Sequence, residues 1–377
     1  MATATPEAFM ARALTLARRG LYTTDPNPRV GCVLVKRRQI VGEGYHVRAG
    51  EPHAEIHALS DAGGAAKGAT AYVTLEPCAH HGRTGPCAQA LVDAGVKKVV
   101  AAMQDPHAAV AGKGFAMLRE AGIEVECGLL EDEARALNPG FLSRMTRGRP
   151  FVRMKMAMSL DGRTAMRSGE SQWITGPRAR TEVQRLRARS SAVISGVDSI
   201  IFDNSRLTVR ASQLDLEDGE VIARRQPLRV IVDSTLRLPL AAACLSEPGR
   251  TLIASCSRDA ERRTRLEAAG AEVLCLPSGA DGRVDLVALL EYLAREEQAN
   301  EVLLETGATL AGSMLDAELV DEMQLFVAPT LLGGEARPLV ALPGLERMAQ
   351  QRPLDILDMR AVGRDWRIIA RPQRQSP

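Results

Sequence analysis

The sequence predicts an α/β protein with two domains. The chain has 377 residues, more than a single compact core usually holds, because domains commonly contain about 100–200 residues. Apolar segments of strand length alternate with amphipathic segments of helix length, which is typical of a sheet covered by helices on both faces. The segment TRGRP at 146–150 separates two such patterns, so we predict one domain over 1–147 and a second over 151–373.

Apolar periodicity assigns the individual elements, beginning with an amphipathic helix that ends before Gly20. In the first half the predicted helices are 6–19, 53–62, 86–94, 112–121 and 131–144, and the predicted strands are 30–36, 39–45, 70–75, 97–102 and 123–128. In the second half the predicted strands are 151–159, 228–233, 250–255, 271–276 and 301–305, and the predicted helices are 177–189, 259–269, 285–297 and 309–318. No G-x-G-x-x-G follows a strand, so a Rossmann dinucleotide site is not expected.

Composition and charge argue against several classes of protein. No apolar run approaches the roughly 18 residues of a membrane span, and the amphipathic N-terminus lacks a signal-peptide pattern, so we expect a cytoplasmic protein. Seven cysteines, an odd number spread over a long chain, do not form a disulfide framework. A net charge of +2 and 3% aromatic residues argue against a nucleic-acid binder, which needs a basic surface with stacking rings. The most basic stretch, 178–189, is either a solvated helix face or a source of one or two phosphate-binding arginines.

The motifs HAE and EPCAHHGRTGPC carry three metal ligands and one acid. His53, Cys78 and Cys87 match the histidine and two cysteines that hold zinc in hydrolytic deaminases. Glu55 matches the glutamate of such sites, which moves protons without binding the metal. Three protein ligands leave the fourth tetrahedral position open for water, and zinc lowers the pKa of that water from about 15.7 to roughly 7. The motifs therefore predict hydrolytic removal of an amine.

A structural zinc site is the alternative interpretation of the same motifs. Structural sites usually have four protein ligands. Glu55 argues against such a site, because a closed metal centre has no use for a general base. The residues that could supply a fourth ligand are Cys32, His46, His57, His80 and His81.

Longer motifs around the ligands carry a family resemblance. Eight residues separate Cys78 from Cys87, whereas many base and nucleoside deaminases have the pattern Pro-Cys-x-x-Cys. With PNPRVGCVLV, HAEIHAL, TLEPCAHHGRTGPC and AMQDPHAAVAGKG, this spacing resembles the deaminase half of the bifunctional riboflavin-biosynthesis deaminase-reductase. The segments MKMAMSLDGRTA, SGESQWITG, SGVDSIIFDNSRLTVR, RVIVDS, LETGATLAGSML and APTLLGG resemble its reductase half, in the family's order.

The resemblance implies a fold and a chemistry for each half. It implies an N-terminal cytidine-deaminase-like three-layer domain with zinc, and a C-terminal dihydrofolate-reductase-like α/β domain with NADPH. The implied substrate is a pyrimidine nucleotide, 2,5-diamino-6-ribosylamino-4(3H)-pyrimidinone 5′-phosphate, which is deaminated and then reduced from the ribosyl to the ribityl form. The expected partners are this small molecule and other copies of the chain in a homo-oligomer, with neither nucleic acid nor membrane.

In the deaminase half, Asn27, His46 and Arg83 match substrate-contacting positions of the family. Arg83 would offer phosphate a planar fork of donors. Without the resemblance, Asn27 would be interpreted as a turn residue in DPNP and His46 as an exposed histidine. Ala79 and Gly85 stand where the family commonly has serine and proline, which affects only the rigidity of the loop.

In the reductase half, the resemblance implies one set of residues on the substrate side and one on the cofactor side. Alternatively, Trp173 could pack in the core, Gly307 could be only the turn before a helix, and Lys155 could extend its charge from a strand edge to solvent. The substrate side comprises Lys155, Ser171, Arg187, Leu207, Arg210 and Glu305. The cofactor side comprises Ala157, Trp173, Ser199, Asp203, Ser234, Gly307, Ala308, Thr309, Leu310, Ala311, Gly312 and Ser313.

The sequence departs from the family beside the cofactor. Phe202 and Ser205 replace a small residue and a proline, whereas Asp203 and Asn204 are retained. Thr306 stands where glycine is frequent. A bulkier and less rigid loop at this point is expected to alter the affinity for NADPH.

Two other functions are compatible with the zinc motif. A nucleic-acid-editing deaminase with a fused binding domain would need a basic surface that carries aromatic rings. A non-enzymatic protein with structural zinc would have four protein ligands and no turnover. The sequence favours the bifunctional enzyme, because both halves match the same family in the same order.

Overall fold

The computed structural model describes residues 5–79, 85–107 and 110–374. The chain divides into two compact units, Met1–Gly148 and Arg149–Pro377. Each unit has its own sheet and its own hydrophobic core. Among the described residues, no helix combines the length and the apolar character of a membrane span.

The first unit has five strands and six α-helices within its described residues. The strands are β1 Gly31–Lys36, β2 Gln39–Tyr45, β3 Thr70–Val73, β4 Lys98–Ala101 and β5 Glu124–Cys127. The helices are α1 Pro6–Ala17, α2 Ala54–Ala62, α3 Cys87–Asp93, α4 Lys113–Glu120, α5 Glu131–Leu137 and α6 Pro139–Arg147. The sheet has the order β2-β1-β3-β4-β5, in which β1 is antiparallel to both neighbours and the last three strands are parallel.

Helices cover both faces of this sheet. Side chains alternate along a strand, so successive residues of β1 enter different cores. Val33 and Val35 belong to the core formed with α1, α5 and α6, whereas Cys32 and Leu34 belong to the core formed with α2, α3 and α4. The first unit therefore has the three-layer arrangement that the sequence predicted.

One predicted helix, 131–144, is wrong, because the chain breaks it at Asn138. Asn138 has φ −120° and ψ 42°, and it precedes Pro139, whose ring disfavours the α conformation in the residue before it. Pro139 then opens α6, a position where its missing N–H is not needed. Helix α6 continues to Arg147, and Gly148 ends it in the left-handed conformation with φ 68°.

The second unit is built around a larger sheet. Its strands are β6 Phe151–Ser159, β7 Arg163–Ala165, β8 Ala192–Gly196, β9 Leu228–Val232, β10 Thr251–Ser255, β11 Glu272–Cys275, β12 Glu301–Leu304, β13 Glu322–Ala328, β14 Arg337–Pro338, β15 Leu354–Val362 and β16 Asp365–Pro372. Its α-helices are α7 Pro177–Arg189, α8 Val197–Asp203, α9 Gly219–Ala223, α10 Ala243–Ser246, α11 Ala260–Ala268, α12 Leu286–Arg295 and α13 Ala308–Asp316.

Nine of these strands form one sheet in the order β11-β10-β9-β8-β12-β6-β13-β16-β15, and β7 pairs with β14 separately. The first seven strands in this order, from β11 to β13, are parallel to one another. The β15–β16 hairpin adds two antiparallel strands at one edge. Helices α12 and α13 pack on one face of the sheet, and α7, α8 and α11 pack on the other. The carboxyl ends of the parallel strands share one edge, where ligands usually bind in such sheets.

Candidate active sites

The three predicted metal ligands of the first unit meet at the ends of two helices. His53 immediately precedes α2, Cys87 opens α3, and Cys78 lies in the loop between β3 and α3. His53 Nδ1 lies 3.2 Å from Cys87 Sγ and 3.6 Å from Cys78 Sγ, and all three ligand atoms lie within 4.8 Å of one another. Zn–N bonds of about 2.1 Å and Zn–S bonds of about 2.3 Å in a tetrahedron separate ligand atoms by roughly 3.6 Å. The donor set therefore fits zinc.

Within the described residues, this cluster has three members. Cys32, His46 and His57 do not belong to it. His80 and His81, the other candidates for a fourth ligand, lie outside the described residues. A cluster of three ligands is the composition of an open zinc site.

Glu55 lies in the first turn of α2, beside the cluster, and is only 3% exposed. Burial, with a smaller contribution from the charge of Cys78, raises the pKa of Glu55 to about 7. A hydrogen bond from the Cys87 thiol lowers the pKa of Cys78, which favours the thiolate form that binds metals. The arrangement combines a metal-binding thiolate with a carboxyl group able to exchange protons near neutrality.

Asn27 and His46 form a polar pair next to His53. Asn27 Nδ2 lies 3.1 Å from His46 Nε2, and His46 Nδ1 lies 3.1 Å from Pro52 O, so the ring can accept from the amide and donate to the carbonyl. The rings of His46 and His53 meet edge to face, with centroids 5.3 Å apart. His46 is 2% exposed, so the alternative of an exposed histidine is wrong. Arg83 lies outside the described residues.

The second unit contains a cavity of about 1290 Å³. Sites for one small molecule usually measure about 300–1,000 Å³, so this cavity has room for two ligands. All six predicted substrate-side residues line it, as do ten of the twelve predicted cofactor-side residues. Ala311 and Gly312 do not line it, because they lie on the buried face of α13. Ala311 packs in the core, and a Cβ atom on Gly312 would lie 1.8 Å from Ala341 O.

Three ionisable groups meet inside the cavity. Glu305 follows β12 and accepts two hydrogen bonds from Arg187 of α7, at 2.5 Å and 2.9 Å, and Lys155 Nζ lies 3.8 Å from Glu305 Oε2. Burial by itself would raise the pKa of Glu305, but Arg187 and then Lys155 outweigh it, so the pKa is lowered. Burial also lowers the pKa of Lys155. The alternative of a Lys155 charge reaching solvent from a strand edge is wrong, because β6 lies between two strands and the side chain is 19% exposed.

Two aromatic rings of the cavity wall each lie against an arginine. Arg180 Cζ lies 4.8 Å from the centroid of Trp173, and Arg337 Cζ lies 4.5 Å from the centroid of Phe202. Trp173 is 64% exposed, so the alternative of core packing is wrong. Both arginines line the cavity, and sequence reasoning names neither of them. Arg180 belongs to the basic stretch 178–189, which the sequence indicates as a possible source of ligand-binding arginines. Nothing in the sequence around Arg337 distinguishes that residue.

The N-terminus of α13 opens into the same cavity, where Gly307 is the N-cap residue. The Gly307 N–H donates to Ser199 Oγ over 3.1 Å, and the Gly196 N–H donates to Thr306 Oγ1 over 3.1 Å. Thr306 thereby ties the end of β8 to the start of α13. Backbone N–H groups at a helix N-terminus favour phosphate, so this part of the cavity fits the pyrophosphate of a dinucleotide.

Comparison with protein families gives a match to each unit. The family described as "Cytidine and deoxycytidylate deaminase zinc-binding region" matches residues 3–103, and "RibD C-terminal domain" matches residues 150–368. The chain is 50% identical over 362 residues to riboflavin biosynthesis protein RibD of Escherichia coli (strain K12), covering 95% of this chain and 97% of the relative. It is 49% identical over 372 residues to the protein of that name from Haemophilus influenzae, covering 97% of each.

Solved structures match over almost the whole chain. Acinetobacter baumannii RibD, form 1, has a TM-score of 0.90 and 50% identity, and the match covers 98% of this chain and 99% of that one. A deaminase/reductase from Thermotoga maritima has a TM-score of 0.84 and 33% identity, and the match covers 97% and 98%. These matches confirm the predicted fold class, and the zinc-binding deaminase and reductase domains confirm zinc and NADPH as the cofactors. The chain belongs to the RibD family of bifunctional riboflavin-biosynthesis deaminase-reductases.

Proposed function

We propose that the first unit deaminates 2,5-diamino-6-ribosylamino-4(3H)-pyrimidinone 5′-phosphate and that the second unit reduces the ribosyl chain of the product to ribityl with NADPH. The Thermotoga maritima relative is named a diaminohydroxyphosphoribosylaminopyrimidine deaminase and 5-amino-6-(5-phosphoribosylamino)uracil reductase. We assign the deaminase to residues 1–147 and the reductase to residues 151–373. The division into compact units at Gly148 and Arg149 supports this assignment.

In the deaminase site, His53, Cys78 and Cys87 hold the metal and Glu55 moves the protons. Zinc, when bound, supplies a water molecule whose pKa is lowered to roughly 7. Glu55 would accept a proton from the attacking water, whose oxygen bonds to the ring carbon, and would pass that proton to the amine, which leaves as ammonia when its C–N bond breaks. Its place in the first turn of α2, two residues after the ligand His53, supports this role, since the same helix start would position both the metal and the proton carrier.

Recognition of the pyrimidine and its phosphate falls to other residues of the first unit. We propose that the Asn27 amide binds the pyrimidine ring. The hydrogen bond to His46 holds this amide in place beside His53. We assign the phosphate to Arg83, whose planar guanidinium can donate two parallel hydrogen bonds.

In the reductase site, the cations divide between positioning and phosphate binding. Arg187 uses Nε and Nη2 on Glu305 and donates from Nη1 to Thr208 O over 2.9 Å, so its main role is to fix Glu305. Glu305 then presents a carboxylate to hydroxyl groups of the ribosyl chain. Lys155 and Arg210 supply positive charge for the 5′-phosphate. The remaining substrate-side residues are Ser171 and Leu207.

NADPH, when bound, supplies the hydride that reduces the sugar carbon, and the protein contributes mainly its placement. The N-terminus of α13 holds the pyrophosphate, and Ser199 keeps that helix start in position through the Gly307 N–H. The residues assigned to cofactor binding are Ala157, Trp173, Ser199, Asp203, Ser234, Gly307, Ala308, Thr309, Leu310 and Ser313, with Ala311 and Gly312 supporting the helix from its buried face.

The observation that carries the proposal is the three-ligand cluster beside a buried Glu55 in one unit, together with a cavity large enough for two ligands in the other. The test is to incubate the purified full chain with the diaminopyrimidinone phosphate, with and without NADPH, and to follow products by mass spectrometry. Without NADPH, an amine should be replaced by oxygen with release of ammonia. With NADPH, the product should gain two hydrogens. Deamination of oligonucleotides but not of this nucleotide would contradict the proposal and favour the nucleic-acid-editing alternative.

We further propose that the chain forms a homo-oligomer through the β15–β16 hairpin. Ile356, Met359 and Trp366 are 64%, 58% and 49% exposed, and β15 is an edge strand of the large sheet. A large exposed apolar patch marks an interaction site, and the unpaired backbone groups of an edge strand are a template for pairing with another chain. Light scattering should give a multiple of the chain mass for the wild type and a smaller mass for Ile356→Glu. An unchanged mass for that variant would contradict the proposal.

We assign the protein to the cytoplasm, without nucleic-acid or membrane partners. All seven cysteines are unpaired thiols, and the ligand thiols must stay reduced to bind metal. Fractionation of cells that express the tagged full chain tests the assignment, and recovery from the membrane fraction would contradict it.

A further inference from the structure

Glu76 is a buried carboxylate that the deaminase chemistry described above does not use. It lies three residues after β3 and two residues before the ligand Cys78, and it is 3% exposed. Its own N–H donates to Met103 O over 3.0 Å, which fixes the backbone at this point. A buried charge of this kind needs an explanation, because an ionised carboxylate is costly to bury without partners.

Four backbone N–H groups supply those partners. Glu76 Oε2 accepts from Asp105 N over 3.2 Å and from Gly112 N over 3.0 Å. Oε1 accepts from Gly114 N over 2.9 Å and from Phe115 N over 3.2 Å. Gly114 and Phe115 lie in the first turn of α4, and Gly112 is its N-cap residue. The N–H groups of a first helical turn have no partner within the helix and favour a negative charge. Glu76 therefore caps α4 from a distant part of the chain.

The start of α4 also lies in close contact with Pro77, the residue between Glu76 and the ligand Cys78. A Cβ atom on Gly114 would lie 1.9 Å from Pro77 O, so α4 approaches Pro77 more closely than any residue with a side chain would permit. Glycine is required here by contact with the backbone of the ligand loop. Side-chain capping and backbone contact together fix Glu76 and Pro77 on α4.

On its other side, Cys78 is joined to the remaining ligands. Its carbonyl accepts from Ala88 N over 3.1 Å, and its Sγ accepts from Cys87 N over 3.3 Å. Its Sγ also lies 3.6 Å from His53 Nδ1. The short segment 76–78 thus spans from α4 to the ligand-bearing helix starts of α2 and α3, and the position of Cys78 depends on both attachments.

The contacts of Glu76 exclude two other roles. Within the described part of the chain, every hydrogen bond to its two oxygens comes from a backbone N–H, so the group has the surroundings of an anion site rather than of a cation ligand. Since both oxygens are occupied by such donors, Glu76 is not arranged to exchange protons with a substrate.

We propose that Glu76 is a positioning residue for the metal centre: by capping α4 it holds Cys78 at the distance from His53 and Cys87 that a metal ion requires. The proposal rests on the proposed zinc site of the first unit. Groups that orient ligands without touching the metal commonly change metal affinity by about 10- to 100-fold when they are substituted.

The test is the zinc affinity of the full chain carrying Glu76→Gln. A glutamine keeps the shape of the side chain but turns an NH2 group toward N–H donors, so at least two of the four hydrogen bonds are lost. We expect zinc to bind about 10- to 100-fold more weakly in competition with a chromophoric chelator. With Co²⁺ in place of zinc, the thiolate-to-metal absorption band should shift, since that band reports the position of Cys78. Gly114→Ala disturbs the contact between α4 and Pro77 without changing a charge. It should also weaken zinc binding.

The matched control is Leu14→Ala, which removes a side chain that is 2% exposed from the core on the opposite face of the sheet. It should lower the unfolding temperature while leaving zinc affinity and the Co²⁺ spectrum unchanged. Wild-type zinc affinity in both Glu76→Gln and Gly114→Ala would overturn the proposal. Equal weakening in Leu14→Ala would also overturn it, because general destabilisation would then explain the loss. If the Glu76→Gln variant does not fold, Gly114→Ala decides alone. If the wild-type protein does not bind zinc, or binds it without Cys78 as a ligand, the proposed function itself is refuted, and the role of Glu76 with it.

Discussion

Glu55 of the first site and Glu305 of the second site are both buried, and their carboxyl groups behave in opposite ways. Glu55 is 3% exposed, and burial together with the charge of Cys78 raises its pKa to about 7. The side chain of Glu305 is 8% exposed, yet Arg187 and Lys155 hold its pKa below the ordinary value. Burial alone therefore does not decide protonation, because neighbouring charges can reverse its effect. The Glu55 carboxyl group can therefore exchange protons near neutrality, whereas the Glu305 carboxyl group stays ionised.

The difference extends to what each site needs from the rest of the chain. The deaminase cluster is built at two helix starts from residues within one short stretch of sequence. The reductase charges come from β6, from α7 and from the end of β12, and they meet only because β12 lies between β8 and β6. Substitution of a single metal ligand should therefore abolish deamination, whereas substitution of one charged residue in the second site should only reduce the rate of reduction.

The largest effect is expected from substitution of a ligand thiolate. Cys78→Ser and Cys87→Ser should each lose zinc and all measurable deamination, because a serine oxygen is a poor replacement for a thiolate. Elemental mass spectrometry of the purified variants measures the zinc, and ammonia release measures the activity. Cys32→Ser, Cys127→Ser and Cys244→Ser serve as controls and should retain the metal. If Cys32→Ser also lost zinc, the site would have a fourth protein ligand and the open, catalytic interpretation would fail.

Substitution of Glu55, the proposed proton carrier, should give the next largest effect. Glu55→Gln should keep its zinc, since no ligand changes, and should lower the rate of ammonia release by about 100- to 10,000-fold. Reduction of chemically supplied deaminated product should remain at the wild-type rate, because that reaction uses the other unit. Near-normal ammonia release from a zinc-loaded variant would remove Glu55 from its assigned role.

A smaller and selective loss is expected from Lys155→Ala in the second site. Lys155 is proposed to bind the 5′-phosphate, and a hydrogen bond to a charged group contributes about 1.5–3 kcal/mol. Loss of this bond corresponds to roughly a 10- to 100-fold slower reduction. Glu305→Ala should likewise depress reduction, because it leaves Arg187 and Lys155 without their shared partner. Ammonia release should stay close to wild type in both variants. Equal loss of both half-reactions would mean a single shared site and would contradict the assignment of two separate sites.

The smallest effect concerns the stability of the second unit in acid. Because the folded-state pKa of Glu305 lies below its ordinary value of 4.5, the ionised carboxylate stabilises the fold above that pH, and this contribution is lost as pH falls through the lowered pKa. Glu305→Gln should therefore show a weaker fall in stability below pH 4.5 than the wild type. Both tryptophans of the chain, Trp173 and Trp366, lie in the second unit, so urea unfolding followed by fluorescence reports on that unit. Parallel pH profiles for the two proteins would contradict the assignment.

Sequence reasoning predicted most of the elements but missed several strands of the second unit. Strand β8 is a short and largely apolar run, and β13 interrupts its apolar residues with Glu322 and Gln324, so periodicity alone does not distinguish either strand from a buried helix. The β15–β16 hairpin was not predicted either, and β15 leaves much of its apolar surface exposed. In the first unit, the break at Asn138 was missed although Pro139 marks it, because the amphipathic pattern continues across the proline.

The amino-acid sequence alone indicates the family and the order of the two units, and it predicts the metal ligands and Glu55, because these depend on residue types at fixed short spacings. Which groups from distant parts of the chain become neighbours depends on the tertiary structure. It brings Arg187 and Lys155 to Glu305, and it brings the first turn of α4 to Glu76. The physical reason is that strand order and helix packing are set by the burial of many weakly specific apolar side chains along the whole chain, so no local motif records the result.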